Sequence, residues 1–414
     1  MRSNPYTTYN PKDYTVKIQQ LLQTGDENNI NLACELMKGQ GIPKLLHEVL
    51  HKSPGNVILQ CLHNRLITPF LELQQLDLNN NELVEIPLEI TFLKKLRSIN
   101  LAFNEIEDFP PVLAQLTQLT NLNLSENYLS GLSFDIVNLQ KLKTLNLGWN
   151  EFEEFPLEVL GLGKLESLYL NENKLDKLPK EIAELPCLSY LNLRWNEFES
   201  FPLELTRMPN LKKLKISENW INVLPPEIEH MEKIEQLYLS KTNLNDVPPE
   251  LAELQNLRIL DLSANQFDFF AEEMLDLENL ERLNLANNQI KSLPNDIDKL
   301  SNLQTLELSN NFIKELPKGL GNLFQLKKLS LNENELNDLP TNLCELSNLE
   351  HLSLEQNQLR TIPAEITKLR HLKQVNLAGN FFSKQEKEQI KALLAHVPHV
   401  NFNNQIDLKY PVKI

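Results

Sequence analysis

The sequence predicts an elongated α/β solenoid, with a parallel sheet along one side and short helical segments along the other. Three observations lead there. The pattern LxxLxLxxN starts at Leu73 and returns every 23 residues up to 372, giving fourteen units without insertion or deletion. Thirteen of these units end on asparagine, and only Thr242 departs. Proline follows that asparagine by six residues in eleven of thirteen units, Ser133 and Ala271 replacing it in the others. A chain of 414 residues could hold two or three ordinary domains or one array of small units. A fixed period of roughly 20–50 residues selects the array.

Residues 1–72 are expected to form a helical N-terminal cap. An array cannot leave its terminal leucines in water, so atypical ends are required. YTVKIQQLLQ, NINLACELM, IPKLLHEVL and NVILQCLHNRL all place apolar residues at helical spacing. In the third, Leu45, Leu46, Val49 and Leu50 are expected to form the buried stripe.

Residues 73–382 hold the repeats. In each LxL the two leucines point to one side of a short strand and the middle residue to the other, so stacked strands bury one leucine face. The asparagine carries both an amide donor and an acceptor. It can satisfy backbone groups of neighbouring turns in a buried ladder, and Thr242, lacking the amide, should leave that ladder incomplete. Proline suits the first turn of a short helical segment, and a following glutamate, as at Glu89, Glu158 or Glu365, suits its positive end.

Residues 383–414 are expected to form a C-terminal cap and tail. SKQEKEQIKALLAHV opens with Ser383 and Glu386 at capping-box spacing, and VPHVNF can supply a last edge strand. IDLKYPVKI suggests no element.

The full unit, LxxLxLxxNxLxxLPxEIxxLxxL, resembles the 23-residue class of leucine-rich repeats found in intracellular Ras-associated scaffolds and in bacterial proteins. The resemblance covers residues 73 to about 394. It implies a horseshoe with a concave parallel sheet that binds other proteins. It also implies a scaffold role in intracellular signalling, with a small GTPase or another signalling protein as partner.

Composition excludes other classes. The formal charge of −16 argues against a wide nucleic-acid footprint, which needs a basic stripe to release phosphate counterions. The N-terminus lacks the apolar core of a signal peptide, and no stretch approaches ~18 consecutive apolar residues. Cys34, Cys61, Cys187 and Cys344 are dispersed, with no CxxC pair and no expected disulfide framework or cysteine zinc site. These features fit a cytoplasmic protein with no cofactor, no membrane association and no nucleic-acid partner.

One string suggests catalysis. HEVLH at 47–51 matches HExxH, the helical zinc motif in which two histidines hold the metal and a glutamate activates water. Such sites need a third ligand and a cleft, and Lys52 follows where these helices continue apolar. A zinc metallopeptidase is therefore a remote alternative to a cap helix, and the chain is read as no enzyme.

The candidate binding residues lie on the concave face, where positions 2, 3, 5, 7 and 8 of each unit should point outward. Column eight reads Phe103, Glu126, Trp149, Glu172, Trp195, Glu218 over six successive units. Tyr169, Tyr190 and Tyr238 stand in adjacent columns, with Arg194 beside Trp195 and Lys212, Lys213 and Lys215 one unit later. Over all fourteen units the five positions carry twelve basic and twelve acidic residues, a neutral face in an acidic chain. Trp, Tyr and Arg dominate interface energies, so these residues are the predicted partner-binding centre. A peptide or glycan ligand on the same face is the second reading.

Overall fold

The computed structural model describes residues 11–403, with side chains from Tyr14 onward. The tail string IDLKYPVKI, at 406–414, lies outside the described residues, as do residues 1–10. The chain divides into two compact units, Met1–Leu188 and Ser189–Ile414.

The first unit opens with four helices, α1 (Pro11–Gln23), α2 (Glu27–Gln40), α3 (Lys44–His51) and α4 (Gly55–His63). Asp26 caps α2 by accepting from the Asn29 N–H at 3.0 Å, satisfying one of the donors that a helix start leaves open. Along α3, Leu46 and Leu50 are fully buried one turn apart, but Leu45 is 72% exposed and Val49 only half-buried. The stripe expected there is thus narrower, because Leu45 is rotated ~100° from Leu46 and faces water. Gly55 starts α4 against the Asp77 carbonyl, which would lie 2.2 Å from any added Cβ. Only glycine permits that approach.

Five parallel strands follow in chain order: β1 (Gln75–Asp77), β2 (Ser98–Asn100), β3 (Asn121–Asn123), β4 (Thr144–Asn146) and β5 (Ser167–Tyr169). The 23-residue period becomes the register, with Leu76 opposite Ile99, Ile99 opposite Leu122 and Leu122 opposite Leu145. These central residues are all buried, so the sheet packs one face on the core.

The second unit continues with β6 (Tyr190–Asn192), β7 (Lys213–Lys215), β8 (Gln236–Tyr238), β9 (Ile259–Asp261), β10 (Arg282–Asn284), β11 (Thr305–Glu307), β12 (Lys328–Ser330), β13 (His351–Ser353) and β14 (Gln374–Asn376), parallel and in the same register. Helix α5 (Lys384–Leu393) opens on a complete capping box between Ser383 and Glu386. A last strand, β15 (His399–Asn401), pairs with β14. The N- and C-terminal helices and the strand ladder give the α/β solenoid that the repeat predicts.

Opposite the strands, most repeats form a 3-10 segment of five residues, such as Leu88–Phe92 or Leu203–Arg207. Proline sits one residue earlier than expected, at the N-cap rather than in the first turn. Pro87 has φ −63 and ψ 140, and its carbonyl accepts from Ile90 N–H at 3.1 Å. The ring fixes φ while the cap needs an extended ψ, so proline suits this place too. Ser133 substitutes by accepting from Asp135 N–H.

The asparagine ladder fills the turn after each strand. Asn150 Nδ2 donates to the carbonyls of Leu124 and Leu147 at 3.0 and 3.1 Å, and its Oδ1 accepts from Leu129 N–H at 3.0 Å. Asn127 and Asn104 repeat the pattern, as do Asn219, Asn265, Asn288, Asn311, Asn334 and Asn357 in the second unit. Thr242 breaks it as anticipated. Its Oγ1 lies 2.7 Å from the Leu239 carbonyl, but Ile221 N–H, the donor that the missing amide oxygen would receive, finds no acceptor among the described residues. The backbone differs here also: Asn243 takes a left-handed φ of 64, where Gln266 and Gln289 do not.

Candidate functional site

Position eight of every repeat is left-handed. From Asn80 through Phe103, Trp149 and Trp195 to Gly379, all fourteen residues have φ between 53 and 68. The cause is the turn itself. This residue must end the strand and swing the following asparagine under the preceding repeat while its own N–H still bonds outward. Trp149 donates to Asn171 O at 2.8 Å and Trp195 to Ser217 O at 3.0 Å. A side chain with a Cβ is crowded in that conformation, at a cost of roughly 1 kcal/mol or more. Glycine or asparagine relieves it, and Asn80, Asn287, Asn310 and Gly379 use that solution.

Phe103, Trp149 and Trp195 do not. They hold large rings at a left-handed position, 51%, 54% and 47% exposed. Trp149 and Trp195 make no ring or cation contact among the described residues. Glu218 and Glu126, in the same column, are less exposed. Glu218 accepts from Arg194 at 2.6 Å and lies 3.4 Å from Lys241. Burial pushes the Glu126 carboxyl above its usual range.

On the first unit, Phe103, Trp149 and Tyr169 are the predicted residues. Column five there is a ladder of polar side chains: Asn100 Nδ2 donates to Asp77 Oδ1 and Asn123 Nδ2 to Asn100 Oδ1, both at 2.9 Å. At its start, a polar cleft of about 750 Å³ is bounded by His51, Lys52 and Gly55 on one side and by Gln75, Asp77 and Asn100 on the other. His51 is the second histidine of HEVLH. No group of three His, Cys, Asp or Glu placed to hold a metal ion occurs among the described residues.

On the second unit, four of the predicted residues converge. Lys213 and Lys215 project from the same face of β7 while Leu214 between them is fully buried. The Lys213 ammonium lies 5.3 Å from the Tyr190 ring centroid and 5.5 Å from that of Tyr238, and Lys215 lies 5.3 Å from Tyr238. Burial, followed by the charges of Lys213 and Arg194, holds the Lys215 ammonium below its ordinary proton affinity. Burial likewise pushes the Tyr238 phenol up. Lys212 stands apart from this cluster, bonded to Glu235 at 2.8 Å.

Two features escaped sequence reasoning. Position seven does not always face outward: Ala102, Ser125 and Ser217 are buried there, whereas Asn79 and Arg194 are exposed. Exposed aromatics also occupy position ten, at Tyr128, Trp220, Phe312 and Phe381. Their recurrence at the same offset was the available signal.

Family models match the same segments, a leucine-rich repeat region over residues 167–275 and leucine rich repeats over 71–129, 94–152, 255–313 and 324–382. A solved leucine-rich repeat protein from Leptospira interrogans is 32% identical, with a TM-score of 0.71 over 82% of this chain and 98% of that one. The chain belongs to the leucine-rich repeat family. A plant peptide hormone receptor, solved in complex with its peptide, is 25% identical over 80% of this chain and 57% of the receptor, with a TM-score of 0.62. An internalin from Listeria monocytogenes, 23% identical over 82% of this chain and 89% of its own, shares the fold with a TM-score of 0.59. Among curated proteins, no sequence matches. The leucine-rich repeat fold supports a protein-binding repeat module. No helix among the described residues is long and apolar enough to cross a membrane.

Proposed function

We propose that this leucine-rich repeat protein is a cytoplasmic scaffold in signalling, which binds a protein partner through the strand face of its repeats. Residues 1–72 serve as the N-terminal cap, 73–382 as the recognition array and 383–414 as the C-terminal cap and tail. Anchors on the first unit are Phe103, Trp149 and Tyr169. On the second they are Tyr190, Arg194, Trp195 and Tyr238, with Lys212, Lys213 and Lys215 flanking.

One observation carries this reading. Trp149 and Trp195 stand about half exposed on backbone that favours glycine, and make no ring or cation contact among the described residues. The whole column shares that backbone, so it is the large exposed rings placed on it that mark these two positions for recognition. Because the strand ladder fixes their backbone in advance, a partner meets rings whose ordering cost is already met by the fold.

The test is partner capture from source-cell lysate by the native chain and by a Trp149→Ala/Trp195→Ala variant, each first shown to be folded by circular dichroism. A partner held by the native chain and lost by the variant is the expected result. Equal capture by both would remove the tryptophans from the interface.

A further inference from the structure

Several charged side chains on or beside the second unit's strands have a partner within the repeats. Arg194 has Glu218, Lys212 has Glu235, Arg258 has Glu281, Lys328 has Glu307 and Lys373 has Glu350. Lys213 and Lys215 are the contrast: neither lies within ion-pair distance of a carboxylate among the described residues. Asp261, next in column five beyond Tyr238, is engaged by the N–H and hydroxyl of Ser263 at 3.0 and 2.7 Å.

These two lysines are half-buried, two residues apart on one strand, with their ammonium groups over the Tyr190 and Tyr238 rings. Tyrosine faces offset part of the lost hydration but supply no hydrogen-bond acceptor to three N–H donors. Two like charges placed together and partly desolvated are costly unless an anion completes them. The excess of acidic residues elsewhere in the chain makes an uncompensated cationic pair more conspicuous still.

We propose that the Lys213–Lys215 pair seats an acidic segment of the partner protein, an extended stretch carrying carboxylates two residues apart. Residues i and i+2 on a strand are separated by ~6.6 Å along the chain, on one face. An extended peptide has the same spacing, so alternate glutamates or aspartates meet both ammonium groups at once. The phenol rings wall the seat, with Tyr238 Oη 3.3 Å from Gln236 Oε1. This inference rests on the protein-binding reading above and specifies the chemistry of one part of that surface.

The probe is a fluorescein-tagged peptide of alternating serine and glutamate, titrated against the full chain by fluorescence anisotropy at fixed ionic strength. Saturable binding is expected, weakened about tenfold or more by Lys213→Gln/Lys215→Gln, since the loss of even one charged hydrogen bond contributes about that factor. Lys212→Gln, which removes an already paired charge, should change it less than about twofold. Equal binding by the native and doubly substituted chains, or no saturable binding by the native chain, overturns the proposal. So does full displacement by millimolar inorganic phosphate, which would make this a phosphate site. If partner capture depends on the tryptophans while the peptide does not distinguish the lysine variant, this inference falls and the protein-binding reading stands. A peptide that does distinguish it, with no partner captured by the native chain, leaves the opposite result.

Discussion

Positions eight and nine of each repeat are adjacent in sequence and opposite in what constrains them. Position nine is nearly uniform. Its asparagine is buried, donates to carbonyls of two successive turns and accepts from a third backbone group, and no other side chain makes all of those bonds in that space. Position eight is equally uniform in backbone, always left-handed, yet carries phenylalanine, tryptophan, glutamate, lysine, alanine, asparagine, glutamine and glycine. One column shows what the frame demands of a side chain. The other shows what it permits.

Replacing Asn150 by alanine tests this contrast most severely. It strands the Leu129 N–H and removes the amide from two carbonyls, at an expected loss of about 2–4 kcal/mol, read from the urea unfolding midpoint. A loss under about 0.5 kcal/mol would mean that water serves the ladder equally well. Thr242→Asn runs the same comparison in reverse. It supplies the acceptor that Ile221 N–H lacks, with an expected gain of about 1 kcal/mol and slower hydrogen exchange at the Ile221 amide. Unchanged exchange would show that the left-handed turn at Asn243, rather than the missing amide, governs that repeat. The smallest effect belongs to column eight. Trp149→Gly should raise stability by about 0.5–1 kcal/mol, the relief of the left-handed backbone exceeding glycine's added freedom when unfolded. A net loss would assign the tryptophan a structural role.

The same distinction explains what was legible in the sequence. The 23-residue register, the strands, the helices at 11–63 and the capping box at Ser383 all follow from local patterns that agree with one another. The asparagine ladder was legible because asparagine recurs where a paired donor and acceptor are needed. Column eight was only half so. Its alternation of aromatic and acidic residues is visible, but its left-handed backbone is masked by the residues that tolerate it poorly, and only Asn80, Asn287, Asn310 and Gly379 hint at it. Leu45 misled for a simpler reason: in an eight-residue helix, one residue beside the stripe still looks apolar in the sequence. Nor does any spacing rule place Lys213 between Tyr190 and Tyr238, which are 48 residues apart in the chain and on different strands. Their meeting requires knowing that β6, β7 and β8 stack in order.

The unbroken period has a consequence for how such a chain changes over time. Two repeats span 46 residues, and Trp149 and Trp195 are separated by that distance. An unequal exchange between gene copies that gains or loses one such block returns every leucine, asparagine and proline to an equivalent place. The folding pattern is thus preserved through duplication, while the exposed columns are shuffled in whole blocks. Selection can then vary what the surface recognises without having to solve the folding problem again.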